Sequence, residues 1–216
     1  MSAKVVSIAT DGEAVAREAL ESCVASGGVA IFPADGVYGL CCDPIDSSAI
    51  ERIHLIKGRD EGKSSAVLYF SPLAMRELVA GLTSRVADAV GQLLPGPLTL
   101  ILPNPDRRYP LACREDPERL GVRLLDGPLA GMSLPVFQTS ANLSGSPPAS
   151  GFHEIEPSIL QQVDLAIDGG RLQGEPSTVI DLTEFEAEGK WEVLRVGAVA
   201  SETVSAQLAG ILPERE

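Results

Sequence analysis

A chain of 216 residues that is 44% hydrophobic can bury a full core, and no apolar run in it approaches the length of a membrane span. A formal net charge of −13 excludes the broadly basic surface that draws nucleic-acid backbones without sequence preference, though it leaves room for a local basic pocket. The N-terminal stretch lacks the basic start and unbroken apolar segment of a signal peptide, so the expectation is one cytoplasmic domain over residues 1–216, with no membrane partner and an aliphatic core.

Cys23, Cys41, Cys42 and Cys113 contain no C-x-x-C pair, and His54 and His153 stand alone. Neither a disulfide framework nor a zinc site is expected, and the thiols read as small buried hydrophobes. Asp35, Asp43 and Asp46 could help hold a metal, but aspartates in turns mostly bond their own backbone, so no metal ligand is assigned.

In chain order, Thr10 or Asp11 is placed to cap a helix whose Ala14, Val15, Ala19, Leu20 and Val24 face inward, with a stop near Gly27. Residues 29–32 are a buried strand ending at Pro33, and 34–39 a turn-rich loop. Ser48 to Glu51 has the spacing of a capping box and opens a helix through Ile53 and Ile56 that runs into Lys57, Gly58 and Arg59. Residues 66–70 are a strand, and Ser71 before Pro72 is an N-cap with proline at the first helical position. A further helix covers 84–94 until Pro95, Gly96 and Pro97 break it, and 98–102 is a strand. Residues 103–118 are irregular and charged, and 120–125 is a strand carrying Arg123. A short buried strand over 134–137 leads into a Ser-rich stretch ending at Ser150. A helix at 157–162, strands at 165–168, 178–182 and 191–196, and a closing helix at 203–208 complete the chain. This irregular interleaving predicts an α/β fold with a mixed sheet.

The chemistry is concentrated in a few stations. Lys57, Arg59 and Lys63 fall within seven residues of a chain short of positive charge. The run from Gly58 to Ser64 is one residue short of a P-loop and follows a helix where a P-loop follows a strand, so that motif is rejected. The three cations suit a triphosphate, or else answer the dipole at a helix C-terminus. Arg123 lies within an apolar strand and either sits on a wet face or reaches a buried anion. The hydroxyls and amides from Gln138 to Ser150 at a strand's exit suit a polar or anionic ligand, or form a Ser-rich turn. Ser177, Thr178 and Arg195 at strand ends carry the same two readings. Neither a catalytic triad nor a carboxylate pair stands out, so the stations fit positioning and charge neutralisation better than acid–base catalysis.

Taken in order, Pro33-Ala-Asp-Gly-Val-Tyr-Gly-Leu40, Lys57-Gly-Arg59, Pro95-Gly-Pro-Leu-Thr99, Gly121-Val-Arg123, Ser140-Ala-Asn-Leu-Ser-Gly145, Ser177-Thr-Val-Ile-Asp181 and Arg195-Val-Gly197 resemble the YrdC/Sua5 family of threonylcarbamoyl-adenylate synthases, from Gly28 to Val199. The resemblance implies a YrdC-like twisted mixed sheet with flanking helices around a large concave cavity, in the single-domain form. It implies that L-threonine, bicarbonate and ATP, with Mg2+, give threonylcarbamoyl-AMP and pyrophosphate, and that separate transferase proteins pass the carbamoyl group to adenosine 37 of tRNA. By position it puts Arg59, Lys63, Arg119, Asn142, Ser150 and Arg195 on ATP. Arg123, Ser140, Ser177 and Gly36 fall on threonine or its carbamate, with Lys57, Arg59 and Arg123 as the catalytic cations.

The chain departs from the family pattern at Ala34 and Gly36, where many members carry threonines, and at Leu68, where many carry a histidine. The rival reading is a YciO-like relative that binds a nucleotide or RNA without adenylation. Retention of Lys57-x-Arg59 and Ser140-x-Asn142 favours the synthase.

Overall fold

The computed structural model describes residues 3–58 and 65–211. Among these, ten strands form one mixed sheet: β1 (Lys4–Ser7), β2 (Ala30–Ala34), β3 (Val37–Cys42), β4 (Ala66–Tyr69), β5 (Leu98–Pro103), β6 (Arg119–Leu124), β7 (Val136–Ser140), β8 (Leu165–Asp168), β9 (Thr178–Asp181) and β10 (Glu192–Arg195). Their order is β1-β8-β2-β3-β7-β4-β6-β5-β9-β10. Parallel pairs (β1/β8, β2/β8, β4/β6, β5/β9) mix with antiparallel ones (β2/β3, β3/β7, β4/β7, β5/β6, β9/β10), as the interleaving predicts. The helices are α1 (Ile8–Asp11), α2 (Glu13–Ala25), α3 (Ser47–Lys57), α4 (Pro72–Ala80), α5 (Ser84–Leu93), α6 (Pro110–Cys113), α7 (Pro157–Leu160), α8 (Phe185–Glu188) and α9 (Ser201–Leu208). None of these is long and apolar enough to cross a membrane.

The two faces of the sheet follow from the period-2 alternation of strand side chains. Leu120, Val122 and Leu124 of β6, Leu98, Leu100 and Leu102 of β5, and Val67 and Tyr69 of β4 turn to one face, where Ile50 and Ile53 of α3, Met75 of α4, Val86 and Leu93 of α5 and Val204 of α9 cover them. On the other face Phe32, Ala34, Leu68 and Val136 pack under Ala16, Leu20 and Val24 of α2 and under Leu125, Leu129 and Met132. That second core covers only part of its face. Beside it the strands present Ala66, Gly121, Thr99 and Ile101, and the small side chains leave a hollow.

Several local expectations are corrected. Residues 34–39 are not a loop: Asp35 and Gly36 make a two-residue hairpin turn, with Ala34 paired to Val37 and Asp35 at φ 61°. Pro33 stays inside β2 because pairing to β8 ends at Ile31, so its missing N–H interrupts no ladder there. The cap of α3 is Asp46, whose Oδ1 accepts from Ser48 N at 2.9 Å and Ala49 N at 3.0 Å, and not Ser48. Within 103–118 Asn104 organises the chain by donating to Arg108 O and Pro117 O, both at 2.9 Å, and α6 lies inside that segment. The strand at β1 and the helix α8 were not expected, being short and without clear periodicity. His54 is buried and packs edge-on against Phe137, and the cysteines form no disulfide among the described residues.

Candidate active site

The hollow has a volume of about 610 Å³, within the range of small-molecule sites. Alternation explains who lines it. Arg119, Gly121 and Arg123 share the open face of β6, while Leu120, Val122 and Leu124 go to the helix side. Gln138 and Ser140 share the open face of β7 with the buried Val136. Thr99 comes from β5, Ser177 from the entry to β9, Arg195 from the end of β10, and Asn142 from the turn after β7. Both earlier readings of Arg123 hold in part: it faces the hollow, yet it is only 5% exposed and meets an anion.

Arg123 is clamped twice. Nη2 donates to Asp35 Oδ2, and Nη1 donates to Gln138 Oε1 at 3.0 Å, while Nε has no hydrogen-bond partner among the described residues. Burial pushes the Asp35 carboxyl above its usual range, with Arg123 opposing and Asp126 reinforcing. Burial likewise pulls the Arg123 guanidinium down, Asp35 opposes it, and the nearby Arg195 adds to the lowering. In both partners desolvation outweighs mutual attraction, as for many buried pairs. The pair adds little over an apolar pair of the same shape, but each partner needs the other, and Asp35 keeps a guanidinium at the floor of the hollow.

Arg119 is bound by Asp181 and lies 3.6 Å from Asp116. Arg195 is held by neutral oxygens: Nη2 donates to Ser177 O at 2.7 Å and to Ser177 Oγ at 3.1 Å. Burial pulls its guanidinium below the usual arginine range as well. Thr178 braces the adjoining turn, accepting from Gly197 N at 2.9 Å and Val199 N at 3.0 Å and donating to Val199 O at 2.7 Å.

Arg119, Arg123, Ser140, Asn142, Ser177 and Arg195, expected from the sequence to act together, all line this hollow. Lys57, Gly36 and Ser150 are not among its lining residues, each for a physical reason. Lys57 is 3% exposed, and its ammonium donates to Ser140 O and to Asn142 O at 2.9 Å, so it ties the end of α3 to the turn after β7. A Cβ on Gly36 would lie 1.8 Å from Glu175 O, because residues 174–176 cross directly over it and Gly174 N donates to Gly36 O at 2.8 Å. The Ser150 hydroxyl donates to Glu154 Oε2 at 3.0 Å. Arg59 and Lys63 lie outside the described residues. Leu68 shares the face of Arg123 but is fully buried in the second core. Ala34 lines the hollow without a hydroxyl.

Gln138 opens the polar stretch that the sequence singles out, and it lies two residues before Ser140 on the same face of β7. The sequence offers Asp35 only as a possible metal holder and Thr99 only within a family motif, so their roles in this site were missed. For a metal, the donor set is poor. Among the described residues no group of three or more His, Cys, Asp or Glu is placed to hold an ion. Asp35 and Asp181 are bound to arginines, Asp43 accepts from Ile45 N, and Asp46 caps α3. These residues do not build a magnesium site of their own.

Comparison with known proteins agrees with this architecture. The family of Sua5, YciO and YrdC proteins, described as "Telomere recombination", matches residues 22–197. A threonylcarbamoyl-AMP synthase of Chromohalobacter salexigens is 32% identical over 167 residues, covering 74% of this chain and 89% of the relative. The structure of Pyrococcus abyssi Sua5 complexed with L-threonine is similar with a TM-score of 0.82 at 26% identity, over 97% of this chain and 62% of that one. This chain thus spans less than two thirds of that protein's length. Escherichia coli YciO is similar with a TM-score of 0.77 at 27% identity, over 92% and 97% of the two chains. From the match over residues 22–197, this chain belongs to the Sua5/YciO/YrdC family.

Proposed function

We propose that this chain is an L-threonylcarbamoyl-adenylate synthase. The observation that carries the reading is the convergence of Arg119, Arg123 and Arg195 with Ser140, Ser177 and Asn142 on one hollow of about 610 Å³. The name of the Chromohalobacter relative and the threonine bound in Pyrococcus Sua5 support the choice of reaction. In this reading the amine of threonine captures bicarbonate or CO2 as a carbamate. A carbamate oxygen then attacks the α-phosphorus of ATP, forming the mixed anhydride and releasing pyrophosphate. Two anions must be held side by side while charge grows on phosphate, and this asks for fixed cations and donors more than for a base.

Arg123, held by Asp35 and Gln138, takes the amino-acid carboxylate or the carbamate, with Ser140 and Ser177 beside it. Arg195, Arg119 and Asn142 line the nucleotide side, and Arg59 and Lys63 join them on the strength of the family motif. In this reading Lys57 acts by positioning the turn that carries Asn142. Mg2+ enters with the triphosphate and is held by phosphate oxygens, since no carboxylate set is placed for it among the described residues. The product goes to tRNA-modifying transferase proteins. The test is pyrophosphate release from ATP and Mg2+: release that needs both threonine and bicarbonate supports the reading, and none with all substrates present refutes it.

A further inference from the structure

The three arginines of the hollow differ in how their charge is balanced. Arg119 has Asp181 and Asp116, and Arg123 has Asp35. Among the described residues no ion pair includes Arg195, so its charge is uncompensated there. Its guanidinium is gripped from one direction, through Nε at 3.3 Å and Nη2 at 2.7 Å to Ser177 O, and through Nη2 at 3.1 Å to Ser177 Oγ. Nη1 has no hydrogen-bond partner among the described residues.

Behind Ser177 stands Thr99. The parallel pairing of β5 with β9 sets Thr99 opposite Val179 and brings Thr99 Oγ1 to 2.8 Å from Ser177 Oγ. Both residues are nearly buried, at 8% and 7% exposure. Two hydroxyls carry two protons, and the bond between them uses one. The contact from Arg195 occupies a lone pair of Ser177 Oγ and uses neither proton. One hydroxyl proton is therefore left over, on a side chain that lines the hollow.

We propose that Thr99 is a positioning residue for Arg195. By locking the Ser177 hydroxyl into one rotamer, it fixes the direction in which the uncompensated guanidinium faces the hollow, and it leaves the pair with one donor for a ligand oxygen. This assignment rests on the functional reading above, in which Arg195 takes the charge of the nucleotide's phosphates. Valine at position 99 keeps the shape and the β-branch but removes the hydroxyl. Serine keeps the hydroxyl and removes only a methyl.

The experiment uses the full chain and four variants: Thr99→Val, Thr99→Ser, Ser177→Ala and the Thr99→Val/Ser177→Ala pair. ATP binding is followed by calorimetry, and pyrophosphate release gives KM and kcat. Thr99→Val is expected to weaken ATP binding by about fivefold to tenfold, the size of one buried hydrogen bond, with kcat at saturating ATP nearly unchanged. Thr99→Ser restores wild-type binding, and adding Thr99→Val to Ser177→Ala costs nothing further. Unchanged ATP affinity in Thr99→Val, failure of Thr99→Ser to rescue, or losses that multiply in the double variant each overturn the assignment. A wild-type chain that binds no ATP overturns the functional reading itself, a result distinct from those three.

Discussion

Replacing Gly36 with alanine probes the tightest backbone approach at the edge of the site. The new Cβ would lie 1.8 Å from Glu175 O and 2.9 Å from Glu175 C, and ordinary contact begins at 3.4 Å. Both obstacles are backbone atoms, so no side-chain rotation relieves the clash. Residues 174–176 must retreat, which breaks the 2.8 Å bond from Gly174 N to Gly36 O. They cannot retreat freely, because Pro176 O is tied to Ala198 N at 2.9 Å, and a Cβ on Gly197 would lie only 2.2 Å from Pro176 O. Overpacking of this kind costs about 1–3 kcal/mol. With about 2–4 °C per kcal/mol for a chain of this size, the melting temperature should fall by about 2–12 °C. Activity should fall further, because the displaced segment leads straight into Ser177, which grips Arg195. Gly91 is the control: it lies inside α5, a Cβ there meets nothing within 4 Å, and Gly91→Ala should add about 0.5–1 kcal/mol. Thermal unfolding and the KM for ATP of both variants decide the matter. Wild-type values for Gly36→Ala would refute the packing argument.

Three other perturbations follow from the same geometry. Lys57→Met removes the donor to Asn142 O, and an unsatisfied buried carbonyl costs about 1–3 kcal/mol, partly offset by relief of the ammonium's desolvation. A loss of about 2 kcal/mol in urea unfolding is expected, and full stability with lost activity would instead put the ammonium on a ligand. Asp35→Asn keeps a residue that tolerates φ 61° but strips the counter-charge from Arg123, whose side chain is 6% exposed. Because Asp35 is itself 18% exposed, the expected destabilisation is about 3 kcal/mol, the low end for a broken buried pair. An unchanged denaturation midpoint would contradict the pairing. Glu154 accepts from Gly151 N, Ser150 Oγ and Ser150 N and pairs with Arg171, which lowers its carboxyl from 4.5 to about 2. A lowered folded value stabilises the fold above the unfolded value, and this support fades as pH falls from about 4.5 towards 2. A carbon-detected titration of Glu154 with a midpoint near 4.5 would exclude it.

How much of this was legible in the sequence depended on the kind of signal. Strands that alternate cleanly or run apolar, such as β5 and β8, were readable, as was the Ser71-Pro72 start of α4. The hairpin at Asp35-Gly36 was hidden because both strands are buried on both faces and show no alternation, although Asp-Gly is itself a turn signal. Convergence of Arg123, Asn142, Ser177 and Arg195 followed from motif order and family resemblance, since separations of up to 72 residues leave no local pattern. The roles of Lys57 and Gly36 could not be read that way. A lysine beside an arginine looks alike whether its ammonium meets phosphate or two carbonyls. A glycine gives no hint that a chain segment 139 residues later crosses over it.

The most direct test of the central claim is to follow the carbon. The chain is incubated with ATP, Mg2+, L-threonine and 13C-bicarbonate, and the adenylate product is weighed by mass spectrometry. The account predicts an adenylate containing threonine and one 13C atom, formed in step with pyrophosphate and lost on Arg195→Ala or Arg123→Ala. An adenylate without the label, or label incorporation that survives removal of both arginines, would contradict it.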